Sequence, residues 1–224
     1  MKVCTDSCLF GAWVADRMKT MNPAVETGAD IGTGTGLLSL MLAQELPGLA
    51  MEAIEIDKDA ARQAQENFKA SPFTERLRVK HTDFNKYNYH QNCDLVISNP
   101  PFFKNDLLSP SDVRNKAHHE ADMDLGMMVT GISLMFKESN AFGAILIPFS
   151  RTQELLWHIN ASELNLVEKM FVRQTPRHPN FRTMVLFSNN RVDRPAIKQM
   201  TIKNETADYS GEFKELLKEY YLAF

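Results

Sequence analysis

The sequence predicts an α/β fold in which a mostly parallel sheet of seven strands carries helices on both faces and ends in an antiparallel hairpin. Over the first half of the chain, short apolar segments alternate with segments of helical periodicity, an order that is typical of a parallel sheet. Near the end, apolar segments at 166–172 and 183–188 flank a loop rich in proline and arginine, which predicts the hairpin.

The individual elements follow from the apolar spacing and from residues that end helices. Pro23 ends the first segment of helical periodicity, and Pro47 with Gly48 ends the second. A last strand is predicted at 197–202, and residues 1–3 resemble the end of a strand. The predicted helices are 7–21, 37–45, 58–70, 125–137, 152–161 and 210–222, and the strands of the main sheet are 29–31, 51–56, 77–81, 95–97, 144–147, 166–172 and 183–188.

The composition is typical of a soluble globular protein, with 44% hydrophobic and 24% charged residues among 224. This length supports one sizeable core, and residues 1–224 are expected to form a single domain. The cysteines, Cys4, Cys8 and Cys93, contain no CxxC pair, so neither a disulfide framework nor a zinc site is indicated. With no signal peptide and no apolar run of membrane-spanning length, the sequence predicts a cytoplasmic protein.

A glycine-rich turn follows the first predicted strand. Residues 30–36 read D-I-G-T-G-T-G, and glycine at a strand-to-helix turn lets a ligand approach the backbone closely. A dinucleotide-binding turn needs a further glycine at the sixth position from Gly32, where this chain has Leu37. The spacing instead resembles the S-adenosylmethionine-binding loop of class I methyltransferases. The resemblance implies that Asp30, Gly32 and Gly34 hold the cofactor, with Asp30 near its amino acid part.

Acidic residues stand near or just after the ends of the next two predicted strands. Glu55 suits a bidentate contact with two ribose hydroxyls. Asp57 competes for that role but is expected to cap the helix that begins at Lys58. Asp83 is placed either to accept a hydrogen bond from an adenine amino group or to serve as a capping residue in a turn. Phe84 is expected to donate its backbone N–H and to pack on the adenine ring.

The fourth predicted strand ends in S-N-P-P-F-F at 98–103. Proline cannot donate to a sheet ladder and restricts the residue before it, so Asn99 is expected to be held extended at the carboxyl end of the strand. An amide, a backbone carbonyl and the rings of Phe102 and Phe103 meet there, a combination that suits a planar group carrying an NH2. By itself, an Asn-Pro turn without a ligand explains the same residues.

Together, these segments resemble the class I amino-methyltransferases, and most closely the bacterial tRNA1(Val) adenine-N6-methyltransferase family. The resemblance covers MKVCTDSCLFGAW, ADIGTGTGLLSLMLAQ, AIEID and SNPPFF. It implies a Rossmann-like fold, S-adenosylmethionine as cofactor and, as substrate, the adenosine next to the anticodon. Two departures are visible: Cys4 stands where the family usually has glycine, and the chain lacks the short stretch that usually precedes this segment.

The resemblance also assigns roles to single residues. The side-chain oxygen of Asn99 and the carbonyl of Pro100 would accept the two hydrogens of the target NH2, and Phe102 would stack on the base. Asn99 would also border the cofactor, and Thr5 and Asp6 would border its methionine end. The motif is shared with enzymes that methylate adenine in DNA, guanine N2 in ribosomal RNA or a protein glutamine, and a non-catalytic binding module is a further alternative.

The charge of the chain is unevenly distributed. The net charge of −3 does not indicate a nucleic-acid-binding protein, but between 169 and 203 eight lysines and arginines accompany one acid, a net charge of +7. Cations, prolines and Phe181 alternate in the hairpin loop, a mixture typical of single-stranded RNA binding, whereas the alternative is a solvated charged hairpin. No metal site and no obligate protein partner are indicated. The residues expected to contact the tRNA are Lys104, Arg173, Arg177 and Arg182.

Overall fold

One sheet forms the centre of the structure, a computed structural model that describes residues 5–89, 92–101 and 124–222. Its strands are β1 (Thr27–Ile31), β2 (Ala50–Glu55), β3 (Leu77–His81), β4 (Leu95–Ser98), β5 (Phe142–Pro148), β6 (Asn165–Arg173), β7 (Asn180–Ser188) and β8 (Ala196–Thr201). The α-helices described are α1 (Thr5–Met21), α2 (Leu37–Glu45), α3 (Lys58–Ala70), α4 (Leu125–Met135), α5 (Thr152–Ala161) and α6 (Gly211–Leu217). The strands lie in the order β3-β2-β1-β4-β5-β7-β6-β8.

Parallel pairing organises one half of the sheet and antiparallel pairing connects the other. β1 pairs with β2 and β4, β2 with β3, and β4 with β5, all in parallel. β7 pairs antiparallel with both β5 and β6. The predicted fold class and the hairpin are thus confirmed. The predicted number of seven strands is wrong, because β8 pairs in parallel with β6 and extends the same sheet to eight strands.

The strand order changes direction at β1. β2 and β3 lie on one side of it and β4 and β5 on the other, so Ile31 at the end of β1 has Ile54 as one neighbour and Ser98 as the other. A reversal of this kind opens a crevice at the carboxyl ends of the strands, where open α/β sheets bind ligands. The loops that follow Ile31 and Ser98 therefore leave the sheet side by side.

Apolar side chains cover both faces of the sheet. On one face, Trp13 of α1 and Phe213 of α6 are buried in the same cluster. On the other face, Ile132 of α4 and Leu155 of α5 belong to a second cluster. Residues 95–97 of β4 lie between these layers and are fully buried, which explains why this strand is a continuous apolar run rather than an alternating one.

The ends of two helices differ from the predictions. α1 already includes Thr5 and Asp6, ahead of the predicted start at Ser7, and α6 ends at Leu217 instead of residue 222. Ser210 caps α6 by accepting a hydrogen bond from the N–H of Phe213, at 3.1 Å. The strand end predicted at residues 1–3 lies outside the described residues. Among the described helices, none combines the length and the apolar character that crossing a bilayer requires.

The turn between β1 and α2 requires glycine at its last position. Gly36 has a φ of +86°, in the left-handed region that favours glycine. A Cβ at this position would lie 2.4 Å from the ring of Phe68 on α3. Because Phe68 is buried in the core, its ring has little room to withdraw. Gly36 therefore lets the start of α2 pack closely against α3.

Gly36→Ala is expected to lower the free energy of unfolding by about 1–3 kcal/mol, through backbone strain and the clash with Phe68. Chemical denaturation of the purified protein measures this change. Gly48→Ala is the control, because its φ is not positive and its Cβ would meet only the carbonyl oxygen of Val25, at 3.4 Å. Equal losses of stability in the two variants would contradict the packing argument.

Candidate active site

The loop after β1 is held against β2 by its own backbone. The N–H groups of Gly32 and Thr33 both donate to the carbonyl oxygen of Ile54, at 2.8 and 3.1 Å. Gly32 has a φ of +68°, and a Cβ built on it would meet no described atom within 4 Å. α2 begins at Leu37, directly after the last glycine. The loop therefore presents bare backbone to open space beside a helix N-terminus, an arrangement that suits a ligand.

Asp30 lies beneath this loop and is fully buried. Its Oδ2 accepts hydrogen bonds from the hydroxyls of Thr33 and Ser39, at 2.6 and 2.9 Å. Its Oδ1 is buried without a donor among the described residues. Burial raises the pKa of Asp30 to about 6, although the two hydroxyls act in the opposite direction. Asp30 thus offers one buried oxygen to a hydrogen-bonding or cationic ligand group.

Glu55, at the end of β2, is buried and connects the glycine loop to its own strand. Its Oε2 accepts from the N–H of Gly34 at 2.7 Å, and its Oε1 accepts from the N–H of Asp57 at 2.9 Å. Each carboxylate oxygen keeps a second lone pair, so these bonds are compatible with the ribose contact predicted for Glu55. Asp57 caps α3 by accepting from the N–H of Ala60 at 2.8 Å, which confirms the capping role predicted for it.

Asp83 and Phe84 follow β3. The Oδ1 of Asp83 accepts from the N–H of Asn85 at 2.9 Å, so the capping role is present and the adenine contact stays a prediction. Phe84 is buried against Gly131 of α4, and its ring centroid lies 5.4 Å from that of Tyr89. The ring fills the core beneath α4, and its packing on adenine stays a prediction. The contact through the backbone N–H of Phe84 stays a prediction.

Asn99 leaves β4 beside the loop after β1. The hydroxyl of Ser98 donates to the carbonyl oxygen of Ile31 at 2.8 Å, which ties the ends of the two strands together. Asn99 is half-buried, and its Nδ2 donates to the Oγ of Ser7 on α1 at 2.7 Å. Oδ1 is then the end of the amide that remains to accept hydrogen bonds. Pro100 is buried, whereas the predicted site residues Phe102 and Lys104 lie outside the described residues.

The first turn of α1 contacts the hairpin. The sequence assigns Asp6 to the cofactor and Arg182 to the tRNA, and the structure pairs them, with 2.9 Å between the Nε of Arg182 and the Oδ2 of Asp6. The Oδ1 of Asp6 accepts from the N–H of Ser7 at 3.0 Å. Thr5 is exposed in the same turn. Two residues that the sequence assigns to different ligands therefore form one contact.

The hairpin loop lies at the same edge of the sheet as the two loops described above. β7 runs antiparallel to β5, so Arg182 near its start pairs with Pro148 at the carboxyl end of β5. The guanidinium of Arg173 donates to Thr201 at 2.9 Å and to the carbonyl of Pro176 at 3.3 Å, which fixes the loop. Arg177 is exposed in the loop. Of the arginines predicted to contact tRNA, Arg177 is the one with the most solvent-accessible position.

The known proteins to which this chain is similar are methyltransferases. The methyltransferase small domain family matches residues 11–125. A tRNA1(Val) (adenine(37)-N6)-methyltransferase of Dyadobacter fermentans is 35% identical over 231 residues, which cover 100% of this chain and 92% of that protein. A protein of the same name from Parabacteroides distasonis is 35% identical over 226 residues, covering 99% and 91%. The chain belongs to this methyltransferase family.

The fold of the family is also seen in more distant solved structures. An S-adenosylmethionine-dependent methyltransferase from Clostridium acetobutylicum superposes with a TM-score of 0.60 at 10% identity, covering 85% of this chain and 94% of that one. At this level of identity, the similarity concerns the fold alone. It confirms the Rossmann-like class I architecture predicted for this member of the family.

Sequence reasoning missed two features of the site. Ser7 contacts Asn99 across 92 positions of sequence, and no local pattern connects the two residues. Phe149 is 41% exposed and packs edge-on against Phe171 of β6, with ring centroids 5.4 Å apart. Phe149 could have been found from the sequence because it follows Pro148 directly, at the carboxyl end of a predicted strand, where α/β sheets bind ligands.

Asp30→Asn is expected to remove a pH dependence of stability. The raised pKa of Asp30 favours the protonated carboxyl in the folded state. The stability that this carboxyl contributes to the folded protein is therefore complete below about pH 4 and is lost as the pH rises through 6. A difference of about two pKa units corresponds to about 3 kcal/mol. The stability of the variant minus that of the wild type should therefore rise by about this amount from pH 4 to pH 7, measured by denaturation without ligand. Parallel curves would contradict the burial argument.

Proposed function

We propose that this chain acts as a single cytoplasmic domain that transfers a methyl group from S-adenosylmethionine to the exocyclic N6 of an adenosine in tRNA. The adenosine is the one next to the anticodon of tRNA1(Val), as the name of the relatives indicates. One observation carries the proposal. The glycine loop and Asn99 leave adjacent strands, whose ends are joined by the Ser98–Ile31 hydrogen bond.

The residues of the glycine loop fit S-adenosylmethionine. Within the described part of the chain, the space over Gly32 is open to a ligand and the Oδ1 of Asp30 has no donor, which suits the cationic amine of the methionine part. Glu55 would hold the ribose hydroxyls, and Asp83 with the N–H of Phe84 would hold the adenine. When bound, the cofactor supplies the electrophilic methyl carbon, so the chain itself needs no covalent nucleophile.

At the acceptor, the chemistry requires hydrogen-bond acceptors. The lone pair of an adenine N6 is delocalised into the ring, and acceptors for both of its hydrogens favour its attack on the methyl group. The Oδ1 of Asn99 and the carbonyl of Pro100 would accept hydrogen bonds from these two N–H groups, and Phe102 would stack on the base. Asn99 would also hold the amine beside the cofactor site, so the amine and the methyl group would not have to meet by diffusion.

The hairpin loop supplies positive charge for tRNA binding at the same edge of the sheet as the glycine loop and Asn99. Arg177 is exposed there, and Phe149 with Phe171 adds an aromatic surface at the end of β5. Lys169 places its Nζ 5.5 Å from the ring centroid of Phe171, which adds a cation to this surface. Cations combined with stacking faces are the usual features of single-stranded RNA recognition, and the target base must leave its stack to reach Asn99.

The direct test is transfer of labelled methyl from S-adenosylmethionine to total tRNA from a strain that lacks this protein, followed by nucleoside analysis. The proposal predicts label in N6-methyladenosine. Label in ribosomal RNA as N2-methylguanosine, or in protein as methylglutamine, would contradict the substrate. No transfer to any of these acceptors would contradict the activity.

Asn99→Ala is expected to reduce methyl transfer by at least about 100-fold, because the amide oxygen that orients the amine is lost. The dissociation constant for S-adenosylmethionine, measured by calorimetry, should change little. Asn88→Ala, at an exposed position after β3, is the control and should retain both properties. If Asn99→Ala lost cofactor affinity while keeping transfer, Asn99 would be a cofactor residue and the proposed role would be wrong.

Arg177→Glu is expected to weaken tRNA binding, because one phosphate contact is lost. The slope of the logarithm of the binding constant against the logarithm of the salt concentration should become shallower by about one unit. Arg191→Glu is the matched control, since Arg191 is also exposed but follows the opposite end of β7. Titrations at several salt concentrations measure both variants. Equal effects at the two positions would show a general charge effect and contradict docking at the hairpin loop.

A further inference from the structure

We propose that Ser7 is a positioning residue for Asn99, and that Asp6 and Arg182 hold Ser7 in place, so that the base of the hairpin is connected to the amide that orients the target amine. The inference rests on the proposed function of Asn99. It assigns Arg182 to positioning instead of tRNA contact, and Asp6 to the same connection instead of the cofactor.

The first contact is the hydrogen bond from Asn99 to Ser7. An asparagine amide has a donor end and an acceptor end, and only the oxygen is able to receive hydrogen from an NH2. The Oγ of Ser7 accepts a hydrogen bond from the Nδ2 of Asn99 at 2.7 Å, so the oxygen end of the amide, Oδ1, is directed away from Ser7. The backbone before Pro100 is restricted by the proline ring, which leaves the side-chain torsions as the main freedom of Asn99. The bond to Ser7 restricts that freedom.

The second contact fixes Ser7 itself. Its N–H lies in the first described turn of α1 and donates to a side chain. The Oδ1 of Asp6 accepts from it at 3.0 Å, while the Oδ2 of the same carboxylate accepts from the Nε of Arg182 at 2.9 Å. The side chains of Asp6 and Arg182 are 19% and 28% exposed, so the ion pair is partly shielded from water.

The third element is the place of Arg182 in the sheet. It lies opposite Pro148 of β5 and Val172 of β6, and therefore on a strand that is paired on both sides. Only Asn180 and Phe181 separate it from the hairpin loop at 174–179. A displacement of the loop by bound RNA would pass along β7 through these two residues to Arg182. With its Nε held by Asp6, Arg182 is poorly placed to contact phosphate and well placed to anchor the first turn of α1.

The connection predicts an effect on the chemical step rather than on binding. Ser7→Ala should lower kcat about tenfold, the effect of losing one hydrogen bond, and leave KM for tRNA, KM for S-adenosylmethionine and the melting temperature near the wild-type values. Ser7→Thr, which keeps the hydroxyl, should restore most of kcat. Ser133→Ala, which removes a hydroxyl on α4 that donates to the carbonyl of Thr130 in the same helix, is the control and should change none of these.

Arg182→Gln tests the outer part of the connection. It should lower kcat in the wild-type background and have little further effect in Ser7→Ala, because both substitutions release the same amide. A rise in KM for tRNA with unchanged kcat would make Arg182 an RNA contact and overturn the proposal. Unchanged kcat in Ser7→Ala would overturn it as well.

A measurement without substrate separates this inference from the proposed function. In ¹⁵N NMR, the side-chain NH2 signal of Asn99, assigned by its loss in Asn99→Ala, should shift in both Ser7→Ala and Arg182→Gln. An unmoved signal contradicts the positioning role whatever the enzyme methylates. Conversely, failure of the wild type to methylate adenosine in tRNA contradicts the proposed function, while the NMR shift still decides whether Ser7 holds Asn99.

Discussion

The parallel pairing of β1 with β4 is the constraint on which the rest of the site depends. It places Ile31 opposite Ser98, and the hydroxyl of Ser98 adds a bond to the carbonyl of Ile31 at the point where both strands end. Because β2 continues the sheet on one side and β5 on the other, the two exit loops have no strand between them. A cofactor loop and an amine-binding loop are thereby brought together by backbone hydrogen bonds, before any side chain contributes.

Buried charge gives this edge its chemical character at a cost in stability. Asp30 is fully buried and burial raises its pKa to about 6, so near neutral pH the carboxylate opposes folding while offering an oxygen that no described residue contacts as a donor. Glu55 carries a second carboxylate a strand away, stabilised by two backbone N–H groups of the turns it joins. Unfavourable local electrostatics of this kind are typical of sites that bind a charged ligand.

The parts of the site that are local in sequence could be predicted from it. The glycine turn, the capping of α3 by Asp57 and the strand end before Asn99 each depend on a few consecutive residues, and the alternation of strands and helices determines which edge they share. Contacts between distant segments could not be predicted in this way. Asp6 and Arg182 are 176 positions apart, and the packing of α1 against β5 and β7 brings them together. The burial of Phe84 likewise depends on where α4 packs, and β8 joins the sheet through pairing with β6 that no turn signal announces.

The most direct measurement is a crystal structure with S-adenosylhomocysteine and adenosine bound together. We expect the amino acid part of the cofactor product near Asp30, its ribose at Glu55, and the N6 of adenosine within hydrogen-bonding distance of the Oδ1 of Asn99 and the carbonyl of Pro100. The Oγ of Ser7 should still accept a hydrogen bond from the Nδ2 of Asn99. Adenosine bound away from Asn99, or the cofactor product bound away from the loop after β1, would contradict the account.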